Sequence, residues 1–254
     1  MIRHPRARGP ATVAALAALL VACGTDENSA TRNAPDASAN PTTHAASDDY
    51  VLLLDDDTDP DQMEGKSGSY AFTARGEGEP PLAVADVPAG YTNFGFFAIW
   101  PVDSADESEP FRAIQYWTVH AVSENPCRAS EGATEIGGAV DDLAAALGAQ
   151  KLTTATAPEP VTLDGHDGVY LELTVPTGLD FSRCQLGYFI LWEGKPGDAH
   201  HTAGSPGLVE RLWILDVDGE RVVLAVLTAD GTKSADTDEL VAAVESVRFV
   251  DRPE

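Results

Sequence analysis

The chain has 254 residues, 43% of them hydrophobic, with 41 acidic against 16 basic side chains and a formal charge of −25. That is enough apolar material for one large core or two smaller ones. The charge argues against nucleic acid as a partner, because phosphate binding needs Lys and Arg, and against purely electrostatic attachment to anionic lipid.

In chain order, Arg3, Arg6 and Arg8 precede an apolar run from Ala11 to Leu20. The run is too short to cross a hydrocarbon core about 30 Å thick. It therefore predicts a cleaved export signal over residues 1–22. The residues that follow, Leu20-Val21-Ala22-Cys23 and then Gly24, resemble the lipobox of bacterial lipoproteins. That resemblance implies cleavage before Cys23, diacylation of its thiol by palmitate-like chains, and a place on the extracytoplasmic face of the cell membrane. Two acyl chains meet the two-signal requirement for stable anchoring. With Cys23 given to lipid, Cys127 and Cys184 remain as a pair in an exported chain, where a disulfide is expected. It would close a loop of about 58 residues and destabilise the unfolded chain by about 4 kcal/mol.

Residues 24–49 are Ser, Thr, Ala, Asn, Asp and Pro without apolar periodicity. They predict a disordered tether over 23–49, with an end-to-end distance of about 28 Å. Order begins with a buried strand at Tyr50–Leu54. Gly68–Arg75 follows, with Tyr70, Phe72 and Ala74 on one side, and then Pro81–Val87. Pro88-Ala89-Gly90 marks a turn. The aromatic run Phe94–Trp100 reads as one strand with Tyr91 onward. Pro101–Pro110 is an acidic, Pro-bounded loop or a subdomain boundary, dividing a β-rich part (50–101) from an α+β part (102–254) unless 50–254 is one domain.

Phe111–Val122 is a further aromatic strand. Val140, Leu143, Ala144 and Leu147 recur at helical spacing and predict a helix over about 139–150. Val161–Leu163, a turn at Asp164-Gly165 and a strand from Gly168 to Val175 come next. In that strand Val169, Leu171 and Leu173 point one way, and Tyr170, Glu172 and Thr174 the other. Gly187–Trp192 is another strand. Val209–Thr228 forms a hairpin on a type I′ Asp218-Gly219 turn. It is apolar on both faces, as a central pair covered on both sides should be. A second helix is predicted over 236–246, opened by a capping box of Asp236 and Glu239. Val247–Val250 returns as a last strand.

This order predicts an α+β fold, a mostly antiparallel sheet with two helices packed on it. Its last 140 residues resemble the fold shared by Mog1, PsbP and a class of actinobacterial lipoproteins. The stretches Pro81–Val84, Gly187–Gly194 and Glu210–Gly219 resemble segments of exported actinobacterial domains to which no activity is assigned. Neither likeness licenses a function.

Candidate chemistry is sparse. Asp55, Asp57, Asp59 and Asp61 copy the first ligands of a calcium loop, but Pro60 and Lys66 stand where Gly and Glu are needed. Gly65-Lys66-Ser67 lacks the leading Gly of a phosphate loop. There is no Gly-x-Ser-x-Gly, and Pro206 follows Ser205 where a nucleophile's helix should begin. Asp198, His200 and His201 lie together in the Gly- and Pro-rich stretch Gly194–Gly207, which reads as a long loop. They are the candidate ligand or metal residues, and the loop the candidate binding lip. No cofactor and no catalytic residue is indicated. The expectation is a non-enzymatic binding or scaffolding module of the cell envelope, with an envelope protein or small ligand as partner. Two alternatives are a secreted hydrolase or metal enzyme using residues 194–207, and a carrier of an apolar ligand between the sheet and helix 139–150.

Overall fold

The computed structural model describes residues 50–53, 63, 65–103 and 109–253. The expected signal, Cys23, the tether and the acidic run Asp55–Asp61 lie outside them.

Strands β1 (Val51–Leu52), β2 (Gly68–Phe72) and β3 (Leu82–Val87) lead into a hairpin of β4 (Tyr91–Phe94) and β5 (Ala98–Pro101). The Phe94–Trp100 run is thus two strands rather than one. Gly95, at φ 60°, turns the chain between them. Next come β6 (Arg112–Trp117) and β7 (Ala121–Ser123), which join different sheets and so divide the expected Phe111–Val122 strand. After a 3-10 turn at Pro126–Glu131 follow β8 (Ala133–Glu135), α1 (Val140–Gly148), β9 (Thr154–Ala155), β10 (Glu159–Leu163) and β11 (His166–Thr174). A second 3-10 turn, Phe181–Arg183, precedes β12 (Ile190–Lys195) and β13 (Asp198–Thr202). The chain ends with β14 (Val209–Val217), β15 (Glu220–Thr228), α2 (Ser234–Glu245) and β16 (Arg248–Val250).

The class is α+β, and among the described strands every pairing is antiparallel except β1 with β2. An eight-stranded central sheet runs β10-β11-β14-β15-β6-β5-β4, with β9 on the same edge of β11 as β10. Its two middle strands are the hairpin on Asp218 and Gly219, both at positive φ as a type I′ turn requires. Side chains alternate between two cores. Leu212, Ile214, Val223 and Ala225 enter one, with α1 and the four-stranded sheet β13-β12-β7-β8. Trp213, Leu215, Leu224 and Val226 enter the other, with α2 and the four-stranded sheet β1-β2-β3-β16. β5, from before residue 101, hydrogen-bonds to β6, from after it, and β16 pairs with β3. The stretches on either side of residue 101 are interleaved.

Helix α1 buries Leu143, Ala144 and Leu147, as its spacing implies. Helix α2 starts two residues earlier than expected, with Lys233 at the N-cap and no side-chain cap. The capping box does not form: the helix starts at Ser234, so Asp236 lies in its first turn and not at the N-cap, and Glu239 accepts the Tyr91 hydroxyl at 2.8 Å. β1 is an edge strand rather than a buried one: Val51 is 45% exposed, and among the described residues of this stretch only Leu53, beyond the strand, is fully buried. No described helix is long and apolar enough to cross a membrane.

Candidate functional site

The segment 194–207 is not the long loop its Gly and Pro content implies. Gly194 and Lys195 continue β12, Gly197 turns at φ 69°, and β13 runs back from Asp198. Strand alternation then sends neighbouring residues to opposite faces. His201 points inward, fully buried, with Nε2 at 2.9 and 3.0 Å from the two carboxylate oxygens of Glu210 on β14. Its ring stacks on Trp192 at 4.0 Å and meets the edge of Trp117 at 5.3 Å. His200 points outward, 3.3 Å from Glu193. Asp198 pairs with Lys195 at 2.9 Å, and that hydrogen bond, aided by the Ala199 N–H, holds its carboxyl below the usual range. The three residues share no coordination sphere. Among the described residues, no group of three or more His, Cys, Asp or Glu could hold a metal ion. Cys127 and Cys184 form the expected disulfide, which ties together the two 3-10 turns.

A different place collects polar side chains. α2 packs over β15, β6 and β3, so it covers the middle of the central sheet and leaves the β10-β11-β14 side open beside it. The result is a cleft of about 650 Å³ between that flank of the sheet and the exposed side of α2. This volume falls within the range of small-molecule sites.

Strand register builds the cleft floor. Glu159, Tyr170 and Trp213 are successive cross-strand neighbours on β10, β11 and β14. One step along, Glu172 faces Arg211. Tyr170 donates to Glu172 at 2.8 Å, and its ring meets Trp213 edge-on at 5.0 Å. Arg211 Nε lies 3.4 Å from the same carboxylate, and its Nη1 donates to the Thr228 hydroxyl at 2.9 Å. The guanidinium is therefore held at two points and its plane is fixed. The opposite wall presents Ser234, Thr237 and Asp238 from the first turns of α2. Burial, and then the hydrogen bond to Glu172, push the Tyr170 hydroxyl above its ordinary value, so it stays a neutral phenol whose hydrogen bond is given to Glu172. The cleft thus offers one fixed cation and one aromatic edge on its floor, with hydroxyls and carboxylates on both sides. That set recognises and orients a small polar molecule.

The sequence reading singled out neither Arg211 nor Tyr170 as site residues. A signal existed for both. Tyr170, Glu172 and Thr174 form the polar side of β11, and Glu210-Arg211 interrupts an otherwise apolar strand. What the sequence does not contain is where α2 stops covering them. Beside α1 the interior is filled: Leu143, Ala144 and Leu147 pack directly into the core with Leu171 and Leu212. A hollow of about 280 Å³ lies near α1 but toward β7 and β8, not toward the central sheet.

No family model matches this chain, and no curated protein matches it. Among solved structures it is similar to PA94, a Pseudomonas aeruginosa protein of unknown function. That likeness has 11% identity over 74% of this chain and 86% of the other, with a TM-score of 0.31. A likeness so slight carries no argument about fold or activity, and the functional reading rests on this chain's own geometry.

Proposed function

We propose that this protein is a lipid-anchored, extracytoplasmic binding module that holds a small polar ligand in the α2 cleft without chemical turnover. The observation that carries the binding half is the Tyr170–Glu172–Arg211–Thr228 network. Its Tyr170 and Arg211 line the cleft, and Glu172 and Thr228 hold them in place there. Preorganised polar groups of this kind reduce the cost of ordering on binding. The anchor half is supported by the resemblance of Leu20–Cys23 to a lipobox and by the export signal before it. The strong negative charge makes lipid, not surface potential, the means of attachment.

The protein taken from the membrane fraction of its own host tests both halves. Intact mass should show an acylated N-terminus at Cys23, and Cys23→Ser should move the protein out of that fraction. An unmodified N-terminus at Met1 would sink the anchor. Native mass spectrometry should show a non-covalent adduct that Arg211→Ala abolishes. Bare protein in both forms, or turnover in a broad hydrolase panel, would overturn the binding module.

A further inference from the structure

A second hollow, of about 490 Å³, opens where the Arg75–Glu79 turn, the β4–β5 turn and the β12–β13 turn meet. It shares no lining residue with the α2 cleft. Three of its lining side chains, Arg75, Lys195 and Arg252, are basic, in a chain whose acids outnumber its bases 41 to 16.

Arg75 is the unusual member. Its backbone is locked into the structure, donating to Tyr116 O at 3.0 Å and accepting from Thr118 N at 3.1 Å. Its guanidinium lies over Phe97 at 4.8 Å and Trp117 at 5.4 Å. Among the described residues that guanidinium makes no hydrogen bond and no ion pair; the nearby Asp198 carboxylate is tied to Lys195. An arginine fixed by two aromatic faces, with its donors unspent, is prepared for a bidentate oxyanion. Arg252, whose Nε donates to Pro80 O at 3.0 Å, adds a second positive charge. Beside them Phe94 is 46% exposed, and Phe96 also lines the hollow. An aromatic surface next to an unpaired cation fits a ligand with an apolar body and an anionic end.

We propose that this hollow binds a small amphiphilic anion, with its carboxylate or phosphate on Arg75 and an aromatic ring or short acyl chain against Phe94 and Phe96. Gly76 and Gly95 turn the chain at positive φ on two sides of the hollow.

The test is an amide chemical-shift titration of the full chain carrying Cys23→Ser, which keeps detergent out of the sample. The probes are phenyl phosphate, inorganic phosphate and benzyl alcohol. Phenyl phosphate should shift the amides of Gly76, Gly95, Phe96 and Ala199 saturably. The other two probes should bind at least about tenfold more weakly, which corresponds to about 1.4 kcal/mol. Arg75→Gln should weaken phenyl phosphate by a similar factor. Phe94→Ala, at a half-exposed position whose ring also packs on Trp100 at 4.3 Å, should weaken it while the amide spectrum stays that of the folded protein, so the result does not depend on Arg75→Gln folding. Shifts that do not saturate or that map to the α2 cleft would overturn the proposal. So would inorganic phosphate binding as tightly as phenyl phosphate, or Phe94→Ala and Arg252→Gln variants that bind like the parent. Failure here leaves the α2 cleft untouched, because its readout is loss of an adduct on Arg211→Ala.

Discussion

At the residue scale, the clearest liability is the His201–Glu210 pair, which lies inside a core built from Trp117, Trp192 and Leu212. Removing one partner strands the other away from water, which typically costs about 3–5 kcal/mol. His201→Ala should therefore lower the unfolding free energy read from urea titration by an amount in that range. The double variant His201→Leu/Glu210→Leu should lose much less, since no buried polar group is left alone. A single variant no worse than the double would refute the account. Tyrosines give a second residue-scale prediction. Burial and the hydrogen bond to Glu239 push Tyr91 from 10.0 up to about 12. Burial also raises Tyr116 and, with Glu172, Tyr170. The folded state thus favours the neutral phenol. The resulting stability is complete below pH of about 10 and is lost as pH rises through the folded value. Phenolate absorbance should show these three of the six tyrosines silent until the protein unfolds in alkali.

At the element scale, the bridge joins Cys127, in the first 3-10 turn, to Cys184, at the end of the second and 57 positions later in the sequence. Neither turn is long enough to hold itself, so the bridge fixes the approach to α1 on one side and to β12 on the other. In the loop-entropy account it contributes about 4 kcal/mol. Reduction should lower the melting temperature by many degrees, and the Cys127→Ser variant should match the reduced protein. An unchanged melt on reduction would show that the bridge constrains nothing. The β12–β13 hairpin teaches a related lesson. Its Gly and Pro residues read as loop, yet Gly194 lies in a strand because the backbone of Gly76 passes against it, with Glu77 N donating to Gly194 O at 2.9 Å. A glycine required by close approach is indistinguishable, in sequence, from one required by a bend.

At the scale of the whole molecule, a formal charge of −25 over the chain implies mutual repulsion among its acids. Raising salt from a few millimolar to physiological strength shortens the screening length to about 8 Å. The melting temperature should rise over that interval and level off above it; a flat response would place the acids too far apart to matter. The architecture also explains the α2 cleft. A central sheet seven strands across, with β9 beside β10 on one edge, is wider than the helix laid on it, so α2 covers its middle and leaves one flank open.

What the sequence alone determined was anything written in local period and composition. The α+β class, the hairpin on Asp218-Gly219, the buried stripe of α1 and the last strand all follow from side chains a few residues apart. What only the tertiary structure decided was where distant elements meet. Helix α2 begins at Ser234, two residues before its local capping signal, and its Glu239 bonds Tyr91, 148 residues earlier in the chain. The candidate trio of Asp198, His200 and His201 separates because alternation along β13 buries one histidine and exposes its neighbour. Arg211 and Tyr170 become a site only because the sheet outruns its helix. The physical reason is that a strand's side chains have a fixed period, whereas the cover over each face comes from chain tens of residues away.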